Sequence, residues 1–310
     1  MTDKLRDSST VPLIVGLGWS LWDNLEVLEA YPIENSKTVA IESLDQAGGP
    51  TLRALMTVSK LGVKTAFVTA VGSDESGSRI ISELESSGVD TTFVQTSSDS
   101  KTRKSQGWIS QTKGSRTLVY SQDGPSVEFF SDEFRALIGR AAILLIDGRE
   151  ALVAVQASRA ARDRKIPVIM DVGSPKEEFW ILIESVTHLI IPRATLEIVT
   201  GQQIVTDAVK RVFDFAATSV IVVTDGLQGC TGFVRDEESF HVPVFPVDVV
   251  DSNGAGDVFA GGFTWALVAG NSISDAIEIA SACAAVKCQS LGNGALPTIL
   301  EMKEMRQSHG

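Results

Sequence analysis

Many kinds of functional site need residues that this chain has in short supply. It carries three cysteines, Cys230, Cys283 and Cys288, and three histidines, His188, His241 and His309, among 310 residues. The cysteines sit in apolar or helical surroundings, which reads as buried free thiols in a reducing compartment. The histidines show neither metal-ligand spacing nor a neighbouring partner, so a zinc centre or a Ser-His-Asp device finds little material. Every apolar run is interrupted by Asp, Glu, Lys or Gly before 18 residues, which argues against a membrane-spanning helix. Positive charge is scarce as well: 27 Lys and Arg face 39 Asp and Glu, a net charge of −12. A surface this acidic repels phosphate backbones, so nucleic acid is not an expected partner. A small anionic substrate stays open, because a local site can be positive on an acidic molecule. The opening segment MTDKLRDSSTVP is polar and lacks the apolar middle of a secretory signal, so a cytoplasmic location is expected.

What is present is ordinary globular material, 44% hydrophobic and 21% charged, enough for a sizeable core. Short β-branched runs at 11–15, 65–71, 142–146, 167–170, 188–191 and 220–224 read as buried strands. Helical patterns at 51–61, 152–164 and 208–217 lie between several of them. That alternation predicts a single α/β domain over 1–310 with a mainly parallel sheet covered on both faces. Residues 27–44 and 93–120 instead alternate polar and apolar, the mark of a sheet with one wet face. With a hairpin turn at 113–115, they are expected to form a small β lid from insertions at about 18–46 and 93–121.

The sharpest feature is the run Asp251-Ser252-Asn253-Gly254-Ala255-Gly256-Asp257. After it, Val258, Phe259, Gly262, Phe263 and Leu267 recur at helical spacing. A Gly-Ala-Gly entry leaves backbone N–H groups free at a helix start, where the dipole adds positive potential: a hole suited to phosphoryl oxygens. Asp257 falls in the first turn, where a carboxylate can take the proton of an attacking hydroxyl. The plainer alternative is an Asp that only caps a glycine-rich helix start.

This run resembles the D-T-x-G-A-G-D signature of the ribokinase-like (PfkB) carbohydrate kinases, with Ser252 for Thr. The resemblance spans roughly 11–297 and implies a three-layer α/β/α fold, ATP and Mg²⁺ as cofactors, and a small sugar as substrate. By match, Asp257 is the catalytic base and Gly254, Ala255 and Gly256 form the anion hole. Gly48 and Gly49 resemble the sugar-site glycine pair, and Asp23 the aspartate that binds sugar hydroxyls. Thr224, Gly226 and Gly229 match the turn along the nucleotide phosphates, and Ala284 and Gly294 the adenine side. A monovalent cation such as K⁺ near Asp251 and Asn253, and a homodimer joined through the lids, are implied on the same grounds. Residues 146–151 and 170–179 look closest to ketohexokinase; 48–50 and 247–259 look closer to sulfofructose kinase. Arg149 falls on an arginine of both patterns, either reaching the substrate or holding the fold.

Three departures qualify the match. Pro50 and Arg53 stand where many members carry sugar-binding asparagines, so the substrate is expected to differ from fructose or ribose. Arg53 reads as a residue on a solvated helix face, with a contact to an anionic substituent as the alternative. The family's N-x-x-E magnesium element is replaced by Pro192 or Arg193 and Thr195, with Glu197 displaced by two, which shifts metal organisation toward Asp171 or water. A catalytically weak or inactive binding protein and a nucleoside kinase are the competing readings within the fold. An Asp257 buried against a salt-bridging arginine would count against the base assignment. Outside the fold, Gly16-Leu17-Gly18-Trp19-Ser20-Leu21 spoils a dinucleotide fingerprint with Leu at its third glycine, and no P-loop motif is present.

Overall fold

The computed structural model describes residues 11–308; the readings made on 1–10 and on His309 lie outside them. The first half of the chain runs β1 (Leu13–Leu17), β2 (Leu21–Leu28), β3 (Glu42–Gly48), α1 (Pro50–Lys60), β4 (Lys64–Gly72), α2 (Glu75–Ser86), β5 (Val89–Asp90), β6 (Val94–Ser97), β7 (Lys104–Ser110) and β8 (Arg116–Tyr120). The middle runs α3 (Asp132–Ile138), β9 (Ile143–Ile146), α4 (Ala151–Asp163), β10 (Val168–Asp171), α5 (Phe179–Ile183), β11 (His188–Pro192), α6 (Arg193–Thr200) and α7 (Val205–Phe215). The rest comprises β12 (Val220–Thr224), β13 (Cys230–Val234), β14 (Phe240–Val242), α8 (Ala255–Val268), α9 (Ile273–Cys288) and α10 (Ile299–Gln307).

The large sheet has the order β14-β13-β12-β11-β10-β9-β1-β4. At its far edge β5 pairs with β4 at Thr65–Ala66, and β6 pairs with the same strand at Thr69–Gly72. All pairings are parallel except those of β12 with β13 and β13 with β14. The strands read as unbroken apolar runs because both faces are covered. Ile14, Ile143 and Leu145 point into one core, with α1, α8 and α9. Val15, Leu144 and Ile146 point into the other, with α3, α4 and α7, as the two-residue period of a strand requires.

Two adjacent glycines decide how closely the site-bearing helices approach. A Cβ on Gly261 would lie 2.7 Å from Ala54 O of α1, and one on Gly262 would lie 3.1 Å from Ala280 Cα of α9. Without side chains there, α8 nests between α1 and α9, bringing residues 53, 257 and 287 into one neighbourhood.

The second sheet is β3-β2-β7-β8, with β2 and β7 parallel and the two outer pairings antiparallel. Gly114, at φ 60°, turns the β7–β8 hairpin. Two boundaries differ from the sequence expectation. The strand expected over 27–44 is two strands, ending at Leu28 and resuming at Glu42, because Pro32 lacks a donor and Asn35 takes φ 62°. Residues 94–97 join the large sheet, where the outer edge of β4 beyond Ala66 is left unpaired by β5.

Candidate active site

Asp147 and Asp171 lie at the C-terminal ends of β9 and β10, Gly48-Gly49 at the start of α1 and Asp257 in the first turn of α8. Crevices at the carboxyl ends of parallel strands are where open α/β sheets bind ligands. Asp147, just past β9, is buried and accepts the amides of Trp19 at 3.1 Å and Arg149 at 2.9 Å. Burial raises its carboxyl pKa against the pull of Lys176. Asp171, ending β10, is raised well above the ordinary range by burial and then by Asp257 and Asp147. Lys176 is pushed down to about 8 by burial and by Arg149.

Gly48 and Gly49 have distinct reasons to be glycine. A Cβ on Gly48 would run into the Asp23 carboxylate, while Gly49 takes φ 130° as the residue before α1. Asp23 is buried on β2, with one carboxylate oxygen accepting Ser105 Oγ and the other Arg53 Nη2.

Arg53 corrects the sequence expectation. It is only 6% exposed, not on a solvated face. Besides Asp23, its Nη1 donates to Asp257 Oδ2 at 3.0 Å and its Nε to Asn293 Oδ1 at 3.0 Å. Burial alone would lower its pKa, but the carboxylates of Asp23 and Asp257 outweigh it and raise the pKa above the ordinary arginine value. Asp257 is therefore in the arrangement named above as counting against a base. The pairing is incomplete: the Asp257 side chain keeps 17% exposure and Arg53 engages one of its oxygens. A carboxylate offers about four lone-pair positions, so an acceptor hydroxyl can still reach it.

Around Asp257 the backbone opens toward solvent. Gly254 takes φ 78° as the residue before α8, and Ala255 N is 3.3 Å from Ser252 O. The amides of Gly256 and Asp257 have no acceptor among the described residues, and a Cβ on Gly256 would meet nothing within 4 Å. Ser252 donates to Gly114 O at 3.0 Å, tying this loop to the β7–β8 hairpin. Arg149 spans the same gap, with Nη1 3.3 Å from Tyr120 Oη of β8 and Nη2 3.3 Å from Ser174 Oγ.

Thr224 ends β12, and the turn after it closes through Asp225 N to Gly229 O at 2.8 Å. Gly226 and Gly229 both have positive φ, 52° and 81°. Ala284 lies on α9 one turn beyond Ser281, whose Oγ is 3.7 Å from Cys230 Sγ, so this helix runs beside the Gly229 turn. Gly294 lies elsewhere. Its turn is fastened to β3 by Asn293 N to Gln46 Oε1 and Asn293 Nδ2 to Ala47 O, both at 2.7 Å, which puts it on the Asp23 side.

At the N-x-x-E position and at the place expected for K⁺, side-chain cations of the protein already engage the carboxylates. Arg193 holds Glu197 at 2.9 Å and Asp225 at 3.3 Å, and among the described residues no cluster of three His, Cys, Asp or Glu could hold a metal. At the place expected for K⁺, Asp251 is fully buried and its carboxylate accepts Asn253 N, Gly292 N and Lys287 Nζ. Asn293, Lys176 and Lys287 were not named from sequence, and Arg53 was read as solvated with a contact to an anionic substituent as the alternative. Arg53 and Lys287 each have apolar neighbours in their helices, Leu52, Ala54 and Leu55 in one and Ala284, Ala285 and Val286 in the other, but nothing local names the partners that bury them.

A carboxylate in the first turn of a helix whose first amides have no acceptor among the described residues, at the carboxyl edge of a parallel sheet, suits phosphoryl transfer on an α/β scaffold. Comparison with known proteins narrows the class. The model of the pfkB family of carbohydrate kinases matches residues 34–299. The bifunctional protein HldE of Bradyrhizobium diazoefficiens is 31% identical over 260 residues, 78% of this chain; the chain spans about half, 51%, of that relative. Ribokinase of Haemophilus influenzae is 28% identical over 268 residues, 83% of this chain and 86% of the relative. The structure of Arabidopsis thaliana ribokinase complexed with ribose and ATP superposes with a TM-score of 0.84 at 24% identity, covering 96% of this chain and 99% of that one. The chain belongs to the pfkB family of carbohydrate kinases, enzymes that transfer phosphate to a sugar hydroxyl.

Proposed function

We propose that this chain transfers the γ-phosphoryl group of ATP to a hydroxyl of a small, ketose-like sugar. Asp257 takes the hydroxyl proton, and the main-chain amides of Gly254-Ala255-Gly256 hold the migrating phosphoryl oxygens. The observation that carries this reading is the Asp257 carboxylate in the first turn of α8, beside the unaccepted amides of Gly256 and Asp257. ATP lies along the turn from Thr224 to Gly229, with Ala284 on the helix behind it. The sugar lies between Asp23, Gly48-Gly49, Arg149 and Asp257, with Gly294 nearby through the Asn293 turn. The second sheet acts as a lid that excludes water and limits wasteful ATP hydrolysis. Its exposed apolar residues Leu118, Val119 and Tyr120 suit pairing of lids in a homodimer. Magnesium would accompany the nucleotide phosphates and neutralise their charge.

The acceptor has to share Asp257 with Arg53 or displace it, and this pairing favours a second reading, a weak or inactive sugar- and nucleotide-binding protein. An ATP-consumption assay over ketoses, pentoses, nucleosides and sulfo-sugars separates the two. Turnover above background hydrolysis with a ketose is expected. Binding of sugar and ATP without turnover on any acceptor would overturn the catalytic reading, and preference for a nucleoside would overturn the acceptor class.

A further inference from the structure

Lys287 is a charge that the phosphoryl-transfer reading does not use. Its side chain is 1% exposed, on the last turn of α9. Its ammonium donates to Asp251 O at 2.9 Å, Asp251 Oδ2 at 3.0 Å and Ser290 O at 3.4 Å. These three oxygens come from two segments, the loop that leads into α8 and the residues that follow α9. Both segments meet again through Val250 N and Asp251 N on Cys288 O, and through Gly292 N on Asp251 Oδ2 at 3.0 Å. Asp251 lies three residues before Gly254, so the node anchors the loop that leads into the Gly254-Ala255-Gly256 entry of α8, and the turn after it carries Asn293 to Arg53.

A buried carboxylate with converging main-chain carbonyls is a donor set for a hard monovalent cation, and burying it empty would leave an unpaired charge. An alkylammonium head has the charge of a potassium ion and a similar size, and it reaches the same oxygens. We propose that Lys287 is a resident, covalently tethered cation that takes the place of a monovalent metal ion at this node, so that the anion-hole loop is ordered without potassium. Asn253 belongs to the loop so ordered, its backbone amide donating to Asp251 Oδ1 at 2.7 Å.

The test reads melting temperature and the affinity of a non-hydrolysable ATP analogue, so its outcome is separable from whether the chain turns over any sugar. The wild-type chain is compared in potassium chloride and choline chloride at equal ionic strength, and both quantities are expected to be the same in the two salts. Lys287→Ala removes the cation and leaves a space; its melting temperature is expected to fall by about 5–10 °C in choline chloride and to recover at least about 2 °C of that in potassium chloride. Lys287→Met fills the space without charge and is expected to fall without recovery. Higher stability or analogue affinity of the wild type in potassium than in choline overturns the proposal. So does Lys287→Ala that folds but responds equally to both salts. If neither variant folds, the wild-type comparison decides alone.

Discussion

Replacing Asp257 by Asn removes a proton acceptor while nearly preserving shape. Arg53 Nη1 can still donate to the amide oxygen, and its contacts with Asp23 and Asn293 persist. The variant exchanges a charge-assisted hydrogen bond for a neutral one, a loss of about 1–2 kcal/mol, or a melting temperature lower by about 2–6 °C. The main-chain amides of Gly256 and residue 257 are untouched, so affinity for an ATP analogue should hold within about twofold. Turnover should not. General-base assistance is worth about 10²–10⁴-fold, equivalent to roughly 2.7–5.5 kcal/mol on the barrier. Single-turnover phosphoryl transfer at saturating acceptor, alongside calorimetric titration of the analogue, measures both. Turnover within about threefold of wild type would refute the role of Asp257 as base. Loss of analogue binding in step with turnover would show instead that the carboxylate holds the anion hole together.

Two further outcomes follow from buried charges. Arg53→Asn leaves Asp23 and Asp257 without their shared cation and should cost about 3–5 kcal/mol in denaturant unfolding; a loss below about 1 kcal/mol would return Arg53 to the solvated role first read from sequence. His188 is pushed down to about 4 by burial, so between pH 6.5 and 4 the unfolded chain binds a proton that the native state refuses. Stability should therefore fall by up to about 3 kcal/mol as pH drops through that window, and His188→Gln should remove this component; equal acid sensitivity of the two proteins would contradict it.

The fold was legible in the apolar runs, because a strand covered on both faces shows itself by composition alone, and residues 65–71, 142–146 and 220–224 each became a strand. The second sheet was legible only in outline: the alternation expected over 27–44 gives way to five consecutive polar residues at 34–38, where the chain turns with Ser36 N donating to Ile33 O. At the site, the glycine-rich entry to α8 was readable because few other patterns free the amides at a helix start. Arg53 was not. From sequence a cation on the first turn of α1 faces solvent unless something buries it, and the burying groups lie 30 residues before it and 204 and 240 residues after it. The Lys287 node escaped for the same reason, since Asp251 lies 36 residues away. The position of Gly294 depends on Asn293 reaching back 247 residues to Gln46, a contact that no local pattern encodes.

Catalysis by this chain turns on whether a sugar hydroxyl can reach the Asp257 carboxylate that Arg53 shares. A crystal structure of the chain with a non-hydrolysable ATP analogue and the preferred sugar measures it directly. The expected result is a γ-phosphate against the Gly256 and Asp257 amides and a sugar hydroxyl within hydrogen-bond distance of the Asp257 carboxylate. An Asp257 still occupied by Arg53, with the nucleotide and sugar elsewhere, would contradict it.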